Sequence, residues 1–244
     1  MLETSMSVSS SEADTPIAAA THHLMTTLSA PAWNDLWINK NLAIRQVPGT
    51  AMIELHGVRG YLMPGDIDYL WNMAAALPPG GRHVEIGSWM GLSSILFANS
   101  LIANLNFDAR IHCIDTWQGS QEHQGMAEVA DGALFDTFLA NVRRAKVQHF
   151  VRPLRGDSKR MAANFDDHSV DSIFIDGDHT YEGCRADIEA WLPKLKRGGR
   201  IAGHDAVPGE GVDRAVRELA RATGLRLEIH PPPRGHYVWE YHGF

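Results

Sequence analysis

Two hydrophobic periods alternate along the chain from Arg82 onward. Arg82-His83-Val84-Glu85-Ile86 is a short extended run, and after Gly87 the pattern turns helical, with the helix running to about Ala103. Four more short apolar runs read as buried strands: Ile111 to Asp115, His149 to Leu154, Ser169 to Ile175 and Arg200 to Gly203. Between them the period predicts helices within about 127–145, from Ser158 as cap to Phe165, and from Tyr181 to Lys196, the last stopped by Gly198-Gly199. Glu210 to Thr223 is a further helix, and two closing strands, Leu225 to His230 and His236 to Tyr241, flank a Pro-rich turn. Strands alternating with helices imply an α/β, doubly wound, mostly parallel sheet of seven strands with helices on both faces, because right-handed crossovers place them there.

Ahead of this unit the pattern is weaker. Residues 1–20 are small and polar and read as a flexible tail, although Ala18 to Leu28 could begin a helix. Residues 21–80 read as an N-terminal helical cap on the main domain, 81–244. The cap carries Trp33, Leu36 and Trp37 at helical spacing, a β-like Ala51 to Leu55, and an amphipathic helix from Asp66 to Leu77. Ordinary packing accounts for its aromatic residues; a pocket wall or a dimer face is the alternative.

Composition narrows the function classes. The 22 basic and 29 acidic residues leave a net charge of −7, so the chain lacks the basic footprint of a nucleic-acid binder. Cys113 and Cys184 both fall inside predicted regular elements, as reduced thiols of a cytoplasmic protein do. No run approaches the roughly 20 apolar residues of a membrane span, and the N-terminus lacks a secretory pattern.

The chemistry gathers at the strand ends. In open parallel sheets ligands bind beyond the carboxyl ends of the strands, and Glu85, Asp115, Asp157 with Ser158, Asp176 with His179, and His204 with Asp205 all fall there. Each alone is a plausible turn former or helix cap; five together converge on one crevice. Gly87 and Gly91 make the first turn a ligand corner. Asp115 is placed to accept the two hydroxyls of a ribose. The order Glu-x-Gly-x-x-x-Gly differs from the Gly-x-Gly-x-x-Gly of nicotinamide sites. An acid in the turn repels a pyrophosphate and suits an ammonium and a sulfonium, which points to S-adenosylmethionine.

With these residues in view, the sequence resembles the class I S-adenosylmethionine-dependent methyltransferases over about residues 60–244. The first motif is Glu85-Ile86-Gly87-Ser88-Trp89-Met90-Gly91 and the ribose acid is Asp115. The resemblance implies a Rossmann-like sheet whose last strand is antiparallel, an adenine-contacting turn at Gly156-Asp157-Ser158, and Trp117 against the purine. Ile175-Asp176-Gly177-Asp178-His179-Thr180-Tyr181-Glu182 followed by Gly198 to Asp205 is similar to the small-molecule O-methyltransferase branch of catechol and macrolide-sugar type. That branch implies a divalent cation on Asp176, His204 and Asp205. His204 stands where a carboxylate is common, so manganese, iron or zinc suits the set as well as magnesium.

His179 lies where catechol-type enzymes place a basic residue and is the candidate general base, with a helix-cap neighbour as the alternative. The resemblance also implies a small-molecule methyl acceptor and a homo-oligomer, a dimer through the cap. His230, Arg234 and His236 bracket the closing hairpin at the crevice, either as substrate contacts or as a plain hairpin. Residues 118–125 form a lid or a solvated loop. His22, His23 and His56 read as surface residues. Two other readings stay open: an iron-dependent tailoring oxidation on the same fold, and a non-catalytic nucleotide-binding protein.

Overall fold

The computed structural model describes residues 42, 44–48, 50, 52–119, 127–232 and 236–244. The expected tail, the aromatic stripe at Trp33 to Trp37, most of the expected lid and Arg234 lie outside these residues. Among the described residues three short strands come first, β1 (Ile44–Gln46), β2 (Ile53–Leu55) and β3 (Val58–Gly60), paired antiparallel in the order β1-β2-β3. In the described part of the expected cap, the β-like run is the middle strand of this small meander, which precedes the helix α1 (Pro64–Ala75). His56 and Gly57 turn β2 into β3 with φ of 54° and 77°, the paired left-handed conformation that matches the twist of a two-residue hairpin.

The main sheet is built from β4 (Arg82–Ile86), β5 (Arg110–Asp115), β6 (Val151–Arg155), β7 (Val170–Ile175), β8 (Leu195–Gly203), β9 (Arg226–His230) and β10 (Val238–His242). Its helices are α2 (Leu92–Ala103), α3 (Ala127–Ala130), α4 (Leu134–Arg144), α5 (Ser158–Ala162), α6 (Tyr181–Trp191) and α7 (Gly211–Thr223). Strand order is β6-β5-β4-β7-β8-β10-β9, parallel from β6 through β8, with β10 antiparallel to both of its neighbours. The expected fold class stands, and the strand order reverses at β4 and β7, where such sheets bind ligands.

Several boundaries differ from expectation, the helix from Ser158 ending at Ala162 among them. The helix after β7 ends at Trp191, and a 3₁₀ turn, Leu192–Lys194, leads straight into β8. Gly198 and Gly199 lie inside that strand, where a register shift between Val170 and Ser172 of β7 takes up the extra length. Asp157, not Ser158, caps α5, its Oδ1 accepting from Arg160 N at 3.1 Å.

Side-chain alternation splits the core between the two faces of the sheet. Phe174, Ala202 and Val238 face the meander, α1, α2 and α4, while Ile173, Ile175, Ile201 and Trp239 face α5, α6 and α7. The meander and α1 thus share one hydrophobic cluster with the main sheet. Polar contacts fix α1 there as well: Tyr69 OH donates to Glu240 Oε2 at 2.7 Å, and Arg200 donates to both Glu240 oxygens at 2.8 and 3.0 Å.

Candidate active site

Strand register brings the polar residues together. Ile86 pairs with Ile114 on one side and Ile175 on the other, and Ile175 pairs with Gly203. The next residues, Gly87, Asp115, Asp176 and His204, therefore share one edge. The backbone closes this edge tightly: Gly87 N donates to Ile114 O at 2.9 Å, Asp176 N to Ile86 O at 2.8 Å and His204 N to Ile175 O at 3.0 Å. A Cβ on Gly87 would lie 1.8 Å from Asp176 O, and its φ is +85°, so no side chain fits. Trp89, Trp117, Asp205 and Tyr237 also hold positive φ, a conformation costing about 1–3 kcal/mol at a non-glycine residue that persists only where its surroundings impose it.

In the half formed by β4, β5 and β6, Glu85 is 1% exposed beneath the turn. Ser94 Oγ donates to its Oε2, and Ser88 and Ser93 face the same carboxyl. Burial nevertheless pushes Glu85 above the usual carboxylate range. Gly91 N caps back to Ser88 O at 2.8 Å at the start of α2. Asp115 staples the crevice rim, accepting Trp89 N at 2.8 Å on one oxygen and Trp117 N at 2.7 Å on the other. Burial raises its pKa against these bonds.

Two residues expected at the cofactor are committed elsewhere. Trp117 is 1% exposed, its indole N–H donating to Trp89 O at 2.9 Å and its ring against Phe135 and Phe138, so neither face is open to a purine. Ser158 Oγ accepts from Trp191 Nε1 at 2.8 Å and also bonds the Asp187 carboxyl. Asp187 is itself raised to about 6, chiefly by burial.

In the half formed by β7 and β8, two imidazoles meet two carboxylates. His204 Nδ1 lies 3.7 Å from Asp176 Oδ1 and 3.4 Å from Asp205 Oδ2. His179 Nε2 lies 3.6 and 3.2 Å from the same two oxygens. Asp176 and His179 are about a quarter exposed, whereas His204 and Asp205 form the buried wall, so the set opens on one side. Burial opposes a charge on His204, yet Asp205, Asp66 and Asp176 raise its pKa well above the ordinary histidine range. Burial also opposes ionisation of Asp205, yet His204 with His236 and His179 holds it well below the carboxylate range. A ring nitrogen aimed at two carboxylate oxygens needs positive charge between them, as a proton or as a cation. Asp176, His179 and Asp205 offer donor atoms within 4.8 Å of one another, as do His204, Asp205 and His236, and nitrogen and carboxylate donors so spaced fit a divalent ion.

Two members of this cluster carried little signal in the sequence. Asp66, fully buried at the start of α1, accepts Met63 N at 2.7 Å and His236 N at 2.5 Å. His236 Nδ1 meets Asp205 Oδ1 at 2.7 Å. Asp66 reads locally as a first-turn helix acid. His236 was traceable only through the antiparallel pairing that sets the start of β10 beside the end of β8. A cleft of 440 Å³ lined by Gly198, Arg200, Glu240 and Phe244 opens elsewhere on β8 and shares no residue with this set.

Comparison with known proteins identifies what this crevice belongs to. A family described as "Methyltransferase domain" matches residues 84–206, half of the chain, from the first glycine turn through the His204-Asp205 pair. The chain belongs to this methyltransferase family. Its class is that of the S-adenosylmethionine-dependent enzymes, as the turn and the strand ends imply. An uncharacterized protein of Sinorhizobium fredii, y4gI, is 31% identical over 165 residues, 67% of this chain. The chain spans only 17% of the length of that relative. Among solved structures, the O-methyltransferase NovP is similar with a TM-score of 0.58 and 19% identity, over 73% of this chain and 79% of that one. CalS11, a calicheamicin methyltransferase, gives 0.54 and 18% over 95% of each chain. A methyltransferase from Geobacter sulfurreducens gives 0.52 and 15%, over 90% and 93%. At these identities the structures establish the shared fold. No helix among the described residues is long and apolar enough to cross a membrane.

Proposed function

We propose that the protein methylates a hydroxyl of a small molecule, with Asp176, His204 and Asp205 holding a divalent cation. The observation that carries this reading is the convergence of His204 Nδ1 and His179 Nε2 on Asp176 Oδ1 and Asp205 Oδ2 beside the glycine turn. The description of NovP as an O-methyltransferase is in keeping with an oxygen acceptor. Gly87, Ser88, Gly91 and Asp115 line the donor half, with Glu85 beneath them and Asp157 at the adenine turn. Bound S-adenosylmethionine supplies an electrophilic methyl on sulfur, and a bound divalent cation lowers the pKa of the acceptor hydroxyl. Asp176 orients the acceptor at the open side. His179 Nε2 takes the hydroxyl proton, and the flanking Asp176 and Asp205 stabilise the resulting imidazolium. Gly87, Ser88, Gly91 and Asp115 would hold the donor so that it could give up its methyl to the acceptor oxygen and retain the electron pair on sulfur. A dimer through the N-terminal segment and a cytoplasmic location complete this reading.

Two imidazoles among the donors also match an iron site, so oxidation on the same fold is the competing reading. One set of assays separates them. Labelled S-adenosylmethionine is offered with sugars, phenols and glycosylated natural products, with and without chelator. The expected result is methyl transfer that chelator abolishes, and that falls by at least about 100-fold in Asp205→Ala while donor binding persists. Methyl transfer indifferent to chelator removes the metal. Iron-dependent oxygen consumption without methyl transfer favours oxidation. A protein that binds no S-adenosylmethionine at millimolar concentration defeats the proposal as a whole.

A further inference from the structure

His204 and Asp205 each offer two atoms, and in each case only one faces the site. His204 Nδ1 looks toward Asp176 and Asp205, whereas its Nε2 lies 3.2 Å from Asp66 Oδ2, an ion-pair approach off the hydrogen-bonding line. Asp205 Oδ2 looks toward His179 and His204, whereas its Oδ1 is held by His236 Nδ1 at 2.7 Å. Asp66 also accepts the main-chain N–H of His236, so one buried carboxylate touches both supports.

We propose that Asp66 and His236 are positioning residues which aim His204 Nδ1 and Asp205 Oδ2 into a metal site, an inference that rests on the metal-assisted reading above. Asp66 is 0% exposed and faces Nε2. Its negative charge favours the tautomer with hydrogen on Nε2, which leaves the Nδ1 lone pair free for a cation. A carboxylate behind a ligating histidine is the general means of fixing ring orientation and basicity, and losing such a partner costs about 10- to 100-fold in metal affinity. His236 does the equivalent for the carboxylate, spending its ring N–H on Oδ1 so that Oδ2 stays turned inward.

Both residues lie outside the 84–206 stretch that matches the family, one before it and one after it. Asp66 comes from α1, which Tyr69, one turn further on, anchors to Glu240. The metal half is thereby completed from segments near both ends of the described chain.

The test is Mn²⁺ affinity by calorimetry on the full chain, with S-adenosylmethionine affinity measured alongside. Asp66→Asn is expected to weaken Mn²⁺ binding about 10- to 100-fold while donor affinity stays within about twofold. In a His204→Ala background the same substitution is expected to cost nothing further, because its effect passes through that ring. His236→Asn keeps a side-chain N–H near the position of Nδ1 and is expected to hold Mn²⁺ affinity within about threefold. His236→Leu is expected to lose at least about tenfold. Should Asp66→Asn fail to fold, the two His236 variants decide. Wild-type binding matched by Asp66→Asn and His236→Leu overturns this inference and leaves the metal reading standing. A wild type that binds no Mn²⁺ overturns both.

Discussion

His83 shows how far one residue can be moved from its ordinary chemistry by where a strand places it. It is 1% exposed, its ring is stacked on Phe97 at 3.9 Å, and its Nδ1 meets Ser172 Oγ at 2.7 Å. Burial, helped by the neighbouring His112, brings its pKa down to about 3. In the unfolded chain it titrates near 6.5, so between these values the unfolded state binds the extra proton and stability falls as pH is lowered. From pH 8 to pH 5 this one group removes about 2 kcal/mol. Replacing it by Phe removes that contribution, and the difference between wild type and His83→Phe cancels the other titrating groups. Urea denaturation at the two pH values checks this: the wild type is expected to lose about 2 kcal/mol more than the variant, and equal losses would count against a neutral buried His83.

Elements dock through a few buried polar contacts as well as through apolar area, and α1 is the case that matters for the site. Ile67, Leu70, Met73 and Ala74 bury its apolar side, and Tyr69, Arg200 and Glu240 tie it across β8 and β10. Tyr69→Phe removes the hydrogen bond donated to Glu240 and the longer one accepted from Arg200 at 3.4 Å, and leaves the Arg200–Glu240 pair intact, so it is expected to cost about 1.5–3 kcal/mol. Glu240→Ala leaves a half-buried guanidinium without its carboxylate and is expected to cost more, about 3–5 kcal/mol. The reverse ranking in chemical denaturation would deny the network this role. The same elements mark what could be read from the sequence. The parallel strands were legible because each apolar run ended in a turn former and a polar residue, and the register then placed Gly87, Asp115, Asp176 and His204 side by side. Of the meander, β2 was legible within the β-like Ala51 to Leu55, whereas β1 and β3 were not, since strands of three residues carry too little alternation and His56-Gly57 is not a common hairpin signal. Gly198-Gly199 imitated a helix stop inside β8. Asp66 and His236 meet across 170 positions, and no local pattern announces such a contact.

At the scale of the whole molecule, the crevice has two halves joined along the β4–β7 pairing, and at its rim the Gly87 turn packs against the Asp176 backbone. The proposed donor half is carried by β4, β5 and β6, and the proposed metal half by β7 and β8 with support from α1 and β10. A ligand that binds only the folded protein at about 100 times its Kd adds about 2.7 kcal/mol of stability. For a chain of this size that corresponds to a rise of about 5–10 °C in Tm. Asp115→Asn is expected to lose the shift caused by S-adenosylmethionine and keep the one caused by Mn²⁺, because Asp115 touches only the donor half. Asp205→Asn is expected to do the reverse. Gly87→Ala differs in kind: its new Cβ meets Asp176 O at 1.8 Å and Asp176 C at 2.4 Å, so the β4 turn and the end of β7 must separate. Both shifts are therefore expected to vanish in that variant while its urea transition remains cooperative. If Gly87→Ala kept the Mn²⁺ shift while losing the other, the two halves would be independent, and the turn would serve the donor alone.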